Sequence, residues 1–387
     1  MNKKIEFRNV YLRFKGLLGL GMSDIISAVI TSAFWLYITT IMNVESYGQL
    51  SYVIAIATIS TSISLVGTKN TVTVCVSKNL KLESTVFFII LIFTSVISLI
   101  IFLIFYDFEL SLYVFGAAIF SMGGSIILGK KLFITYSKYV LLQKSLWVGL
   151  SIGLYHLLGV GGIILGMGLS FFIYFPVIIN TFRTTSISFS SFKPHFRFFM
   201  NGYAIDLVGT LVKQIDKIIL LPLLGLTLLG NYHLALQFIA IFQLLPMIIL
   251  KYTLPHDASG NPNRNLKILL VLVSGFFSVI SIILTPIFIP IFFEKFIYVV
   301  EIIQILSLSL VPFSISTTYF SKFFNDKNSK ILLINLILYI SSFLLIIFII
   351  SDTIDVIGVS IAYVIGSIIS AGFLVTMDVI IKKSNKK

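Results

Sequence analysis

Along most of the chain, apolar residues follow one another in runs of about 20, the length an α-helix needs to cross a hydrocarbon core of about 30 Å. The runs are continuous rather than alternating. Outer-membrane β-strands would alternate apolar and polar residues over segments of about 10. The pattern therefore predicts an all-α polytopic membrane protein of about 12 transmembrane helices. They fall at 17–42, 48–67, 85–106, 111–129, 139–158, 161–180, 203–224, 227–250, 266–291, 296–320, 331–351 and 356–380. The longest polar link, TFRTTSISFSSFKPHFRFFMNG, follows the sixth run. It divides the chain into two six-helix lobes, 17–190 with the following cytoplasmic linker and 191–387 with a basic tail. Before the first span, Phe7, Val10, Tyr11 and Phe14 recur at helical spacing, with Arg8, Arg13 and Lys15 mostly off that stripe. Residues 1–16 thus predict an amphipathic interfacial helix on the membrane surface. This basic start has no early apolar core and no small-residue cleavage site, so it does not read as a signal peptide.

Composition agrees with the pattern. The chain is 58% hydrophobic and 11% charged, with 36 Phe, more apolar surface than a soluble domain can hide. The net charge of +13 is a topology signal. With the N-terminus in the cytoplasm and the links alternating, 25 of the 28 Lys and Arg fall on the cytoplasmic side. The external links carry Lys295 with Glu45, Asp107, Glu109, Glu294, Asp352 and Asp355. That bias puts both termini in the cytoplasm of a cell with the chain in its plasma or inner membrane. The basic residues are spread thinly and form no recognition motif, which argues against a nucleic-acid partner. The sole cysteine, Cys75, allows no disulfide, and His156, His195, His233 and His256 lack ligand spacing, so no metal site is expected. Neither a P-loop nor a catalytic constellation is present. The expectation is a protein that is not an enzyme and needs no cofactor.

Two patterns bear on helix packing. Asp24 precedes Gly48 by the same distance as Asp206 precedes Gly230, so an offset of 182 aligns the start of each half. Two parallel repeats about an axis along the membrane normal would give this pattern. The glycine-rich GVGGIILGMG at 159–168 lacks the strand and the Lys-Ser/Thr of a nucleotide site. Gly162 and Gly166 read instead as a small-xxx-small helix-packing pair. Pro222, Pro246, Pro286 and Pro312 lie in or near spans, as static kinks or as hinges.

The stretch LVKQIDKIIL at 211–220 puts charge inside the seventh run. A charge at the bilayer centre costs about 2.5–3.5 kcal/mol even on the lenient insertion scale, so such residues face partners or a wet cavity. Asp206, Thr210, Lys213 and Lys217 share one helical face, with Gln214 and Asp216 flanking it. The first helix adds Asp24, Ser27, Thr31 and Trp35, and the eighth adds Asn231 and Gln237. Two readings follow. In one, Lys213, Lys217, Gln214, Asn231 and Gln237 line a cationic cavity, and the two ammonium groups hold a diphosphate, since Lys offers point charges suited to phosphate. In the other, lysines and Asp216 satisfy each other and glue the fold. Asp24 and Asp206, equivalent by the offset, are candidate proton or cation sites for coupling.

VESYGQLSYVIAIATI and QIDKIILLPLLGLTLLGNYHLALQF resemble the polysaccharide exporter branch of the multidrug/oligosaccharidyl-lipid/polysaccharide (MOP) exporter superfamily. YVVEIIQILSLSLVPFSISTTYFSKFFNDKNSK is similar to the tenth helix of that branch and its following loop, and IGVSIAYVIGS to its last helix. The resemblance implies a two-lobe flippase of MATE/MOP-like fold. Its partners would be a polyprenyl-linked oligosaccharide, membrane lipids, a proton or sodium ion, and glycosyltransferases of the same assembly. Its lipid-linked oligosaccharide would move from the cytoplasmic to the outer leaflet by alternating access. The first helix departs from the pattern, bringing Asp24 and no deep Arg or Lys. Competing readings are a cation-coupled multidrug exporter of the same superfamily, whose cavity would favour carboxylates, and a non-transporting scaffold of a glycan-assembly complex. A membrane glycosyltransferase would need an acidic pair on an amphipathic loop, which the chain lacks.

Overall fold

The computed structural model describes residues 2–66, 69–258, 264–296, 298–325, 329–349 and 355–384. The side chains of the stripe Phe7, Val10, Tyr11 and Phe14, together with His256 and Asp352, lie outside the described residues. Every regular element among the described residues is helical. In chain order the α-helices are α1 Asn2–Ile41, α2 Val44–Ser64, α3 Lys69–Ser77, α4 Glu83–Phe105, α5 Phe108–Gly129, α6 Phe133–Leu158, α7 Val160–Phe171 and α8 Phe175–Thr184. There follow the short α9 Phe189–Phe192, α10 Phe196–Ala258, α11 Arg264–Phe292, α12 Val299–Ser307, α13 Leu310–Asn325, α14 Ser329–Ile349 and α15 Val356–Ser384. The amphipathic start and the first span form one unbroken helix, α1.

Eight helices among the described residues are long and apolar enough to cross a membrane, and ten if α2 with α3 and α12 with α13 each count as one bent span. The 61-residue apolar stretch Phe189–Ile249 is interrupted at Gly225, whose φ of 76° and ψ of 174° divide α10 into two limbs. Only glycine takes that backbone conformation readily. α6, at 26 residues, is membrane-length but carries Lys138 and Lys144. Dividing α10 and counting α6 as crossing recovers the twelve expected spans. The expected tenth span is a pair, α12 and α13, bent by 42°, and Pro312 sits in the first turn of α13, where a missing N–H costs little.

The chain forms two compact units. One comprises residues 1–34 and 53–214, the other 35–52 and 215–387. Their helices show a membrane sidedness inverted from that of soluble proteins. On α11 the buried positions include Ser274, Ser278, Ser281 and Thr285, while Leu272, Phe276, Val279, Ile283, Ile287 and Ile291 are exposed. Lipid imposes no penalty on exposed aliphatics, and small hydroxyl residues let helices approach and bond across the contact. Ser274 and Ser314 hydroxyls do so at 2.5 Å. In the first unit Gly162 and Gly166 pack on α6 as the small-xxx-small reading expects. A Cβ on Gly162 would lie 2.2 Å from the Leu154 carbonyl oxygen, and one on Gly166 would lie 2.5 Å from the Ser151 nitrogen.

The offset of 182 acquires a physical basis in the second unit. A Cβ on Gly48 would lie 2.0 Å from the carbonyl oxygen of Leu226, and a Cβ on Gly230 would lie 2.2 Å from that of Val44. Adding 182 to Val44 and Gly48 gives Leu226 and Gly230. The contact is therefore reciprocal, as at a two-fold axis, where residue i meets j and j meets i. The same offset carries Asn43, in the break between α1 and α2, onto Gly225, the break within α10. This close approach draws residues 35–52 into the second unit.

Asp378 of α15 pairs with Lys322 of α13 and, at 2.8 Å, with Lys382. Lys295 donates to the carbonyl of Thr40 at 3.3 Å, near the C-terminal end of α1.

Candidate functional site

Polar side chains converge around Asp216 in the second unit. Asp216 and the adjacent Lys217 are 6% and 7% exposed on the first limb of α10. The Lys217 ammonium lies 3.1 Å from Asp216 Oδ1, which also accepts the Lys217 backbone N–H at 2.8 Å. The break at Gly225 turns the second limb of α10 back, and the Tyr232 hydroxyl donates to Asp216 Oδ2 at 3.2 Å. Tyr339 of α14 and Tyr363 of α15 stand edge to face, with ring centroids 6.1 Å apart, within electrostatic reach of Asp216. Three donated hydrogen bonds nearly fill the acceptor capacity of the carboxylate. Chemically, this is a buried ion pair braced by a tyrosine hydroxyl.

The other expected site residues divide between the two units. Asn231 is buried. Its amide donates to Thr227 O at 2.9 Å and its carbonyl accepts from Tyr298 N at 3.3 Å, which fastens the start of α12. Gln237 contacts His233 Nε2 at 3.3 Å. His233 is buried against Trp35 and Tyr47, at ring-centroid distances of 5.4 and 5.1 Å. Lys213, by contrast, is exposed, and with Gln214 it falls in the first compact unit. The partner of Asp216 is thus Lys217, the residue beside it, and the expected common stripe of Lys213 and Lys217 places one ammonium in the open and the other in the interior. Asp24 and Asp206 are half-buried, both in the first unit. No group of three or more His, Cys, Asp or Glu among the described residues could hold a metal ion. Cys75 is a free, buried thiol.

One cation was missed in the sequence. The charge bias counts Lys144 with the cytoplasmic links. The structure sets it within α6, eleven residues past Phe133, or ~16 Å along the helix. Its ammonium lies 3.9 Å from the centroid of the Trp147 ring, and Trp147 packs on Phe34 at 4.9 Å. The surrounding three tyrosines of Asp216 were missed as well. Tyr232 is separated from Asp216 by a helix break, and Tyr339 and Tyr363 by whole helices, so no spacing links them.

These features define a two-unit, all-α polytopic fold. No family model matches the chain, and no curated protein matches it in sequence. Among solved structures, the lipid II flippase MurJ in an inward closed conformation is similar, with a TM-score of 0.75 and 14% identity over 92% of this chain and 87% of that one. An inward-facing multidrug resistance MATE family transporter of the MOP superfamily gives a TM-score of 0.73 and 16% identity over 96% of this chain and 99% of that one. A MATE protein in complex with MaL6 gives 0.68 and 14%, over 97% of this chain and 98% of that one. The chain shares the all-α, polytopic fold of these proteins.

Proposed function

We infer that this chain is a membrane transporter that flips a polyprenyl-diphosphate-linked oligosaccharide from the cytoplasmic to the outer leaflet by alternating access, for surface polysaccharide or glycoprotein assembly. The observation that carries this reading is the fold likeness to a lipid-linked flippase over nearly the whole chain, combined with lysines held inside membrane spans. A cation favours an anionic substrate at membrane depth, where an uncompensated charge is costly. The two lobes would be 17–190 and 191–387, preceded by an interfacial segment at 1–16. Lys213 and Lys217 would hold the diphosphate, Gln214, Asn231 and Gln237 would line the path, and Asp24 and Asp206 would bind the coupling proton or sodium ion.

The near-equal likeness to MATE transporters favours a second reading, export of a cationic compound coupled to an ion. Transport in proteoliposomes separates the two. Uptake of a fluorescent lipid-linked oligosaccharide, lost in the Lys213→Ala, Lys217→Ala double variant, supports the flippase. Transport of a cationic dye, unaffected by those changes and lost in Asp24→Asn or Asp206→Asn, supports the exporter. Normal oligosaccharide flipping by the double-lysine variant would sink the proposed diphosphate role of those residues.

Cytoplasmic termini follow from the charge bias, and this orientation has its own test. Tyr106 is 84% exposed beside the external Asp107, and Lys330 is exposed at the start of α14. In a Cys75→Ser background, Tyr106→Cys is expected to react with an impermeant maleimide on intact cells and Lys330→Cys only after lysis. The opposite result overturns the orientation.

A further inference from the structure

Lys144 is half-buried on α6, and its ammonium rests on an aromatic ring. On α6 it stands four residues from Val140, seven from Ser137 and Ser151, and three from Trp147, so all share one face. Ser137, Val140, Trp147 and Ser151 are buried there, and only Lys144 of this set keeps part of its surface accessible. α6 is 26 residues long, and Lys144 stands within two residues of its middle. Lys217 lies beside the Asp216 carboxylate, and Lys322 and Lys382 lie beside that of Asp378. Lys144 instead sits on the face of Trp147 at 3.9 Å. A ring face attracts a cation, but more weakly than a full negative charge. Gln143, its neighbour, is buried and donates to Ser170 at 2.8 Å, and the Trp147 ring is backed by Phe34.

We propose that Lys144 and Trp147 form an anion-binding site of the first compact unit, which takes the diphosphate of an isoprenoid-linked substrate. Trp147 parks the ammonium while the site is empty, and the diphosphate draws it off the ring. This rests on the flippase reading and adds a third, deep lysine to the two already assigned. It also supplies the first-lobe cation that the first helix lacks. Lys217 must leave a carboxylate to bind an anion, whereas Lys144 need only leave a ring face.

The chain has only two tryptophans, Trp35 and Trp147, so the site carries its own reporter. In a Trp35→Phe background, farnesyl diphosphate added to the protein in neutral detergent is expected to shift Trp147 emission saturably. Farnesol should leave it unchanged, and inorganic diphosphate should act weakly or equally according to whether the isoprenoid tail contributes. Lys144→Gln should abolish the shift and weaken diphosphate binding about tenfold or more, as for a lost contact to a charged group. Lys144→Arg should retain a shift, because a guanidinium also stacks on indole. Fluorine NMR of the unaltered chain labelled with fluorotryptophan gives the same readout should Trp35→Phe fold poorly. A resonance from Trp147 that ignores farnesyl diphosphate, or an equal response in Lys144→Gln, overturns the proposal. Oligosaccharide flipping without any Trp147 response would remove this site and leave the flippase reading standing. A Lys144-dependent response in a protein that flips no lipid-linked oligosaccharide would do the reverse.

Discussion

Asp216→Ala is expected to destabilise the protein by about 3–5 kcal/mol, the cost of stranding one partner of a buried ion pair. The change leaves the Lys217 ammonium in an interior that is 7% exposed and removes the acceptor of the Tyr232 hydroxyl. Asp216→Asn should cost less, because an amide oxygen still accepts from Tyr232. Removing both charges, with Asp216→Leu and Lys217→Met together, should recover most of the loss, since a buried pair replaced by apolar residues of similar volume is often neutral or better. Thermal unfolding in detergent, read beside membrane abundance, checks the series. A fully stable Asp216→Ala protein would mean that Lys217 has another anion, and the network around Asp216 would lose its structural role.

Alanine at Gly48 is the second change expected to have a large effect. One added methyl would meet a backbone carbonyl at 2.0 Å, and a carbonyl inside a helix cannot rotate aside as a side chain would. Overpacking typically costs about 1–3 kcal/mol, and a backbone obstacle puts Gly48→Ala at or above the top of that range. Gly230→Ala should behave alike, because its added methyl meets Val44 O at 2.2 Å. The pair should be strongly non-additive, since the first methyl already forces apart the helices that the second would push. Thermal midpoints of both single variants and the double variant measure the coupling. Additive losses, or parental stability in either single variant, would contradict the reciprocal contact.

Much of the fold could be read from the sequence, because hydrocarbon demands long apolar helices and leaves few alternatives. The run lengths located the spans, and Gly225 falls between the expected seventh and eighth. The run lengths could not show that the tenth span bends between Ser307 and Leu310, because no proline or charge marks that break. At the site, the sequence singled out Asp216 and Lys217 as costly, and the structure brings them together at 3.1 Å. It could not say which lysine Asp216 would choose. That choice depends on side-chain direction and on Tyr232, which returns across a helix break. Lys144 escaped notice for a different reason. A lysine near the start of a span satisfies a charge count as well as one in a loop, and only its position between Ser137 and Ser151 on the helix face tells them apart.

The reciprocal glycine contact also says something about ancestry. Subtracting 182 from Asp216, Lys217 and Tyr232 gives Phe34, Trp35 and Leu50, and all six are buried. Matched positions are thus equally hidden yet filled with opposite chemistry, charged and hydroxylated in one copy and apolar in the other. If the chain arose by doubling of a shorter gene, its single-copy forerunner would have made the glycine crossing with a second molecule of itself, and any substitution there would have struck both faces at once. Fusion into one chain released that constraint. One copy could hold an ion pair at depths where its twin stayed greasy, so the two halves could divide their labour without abandoning the contact they share.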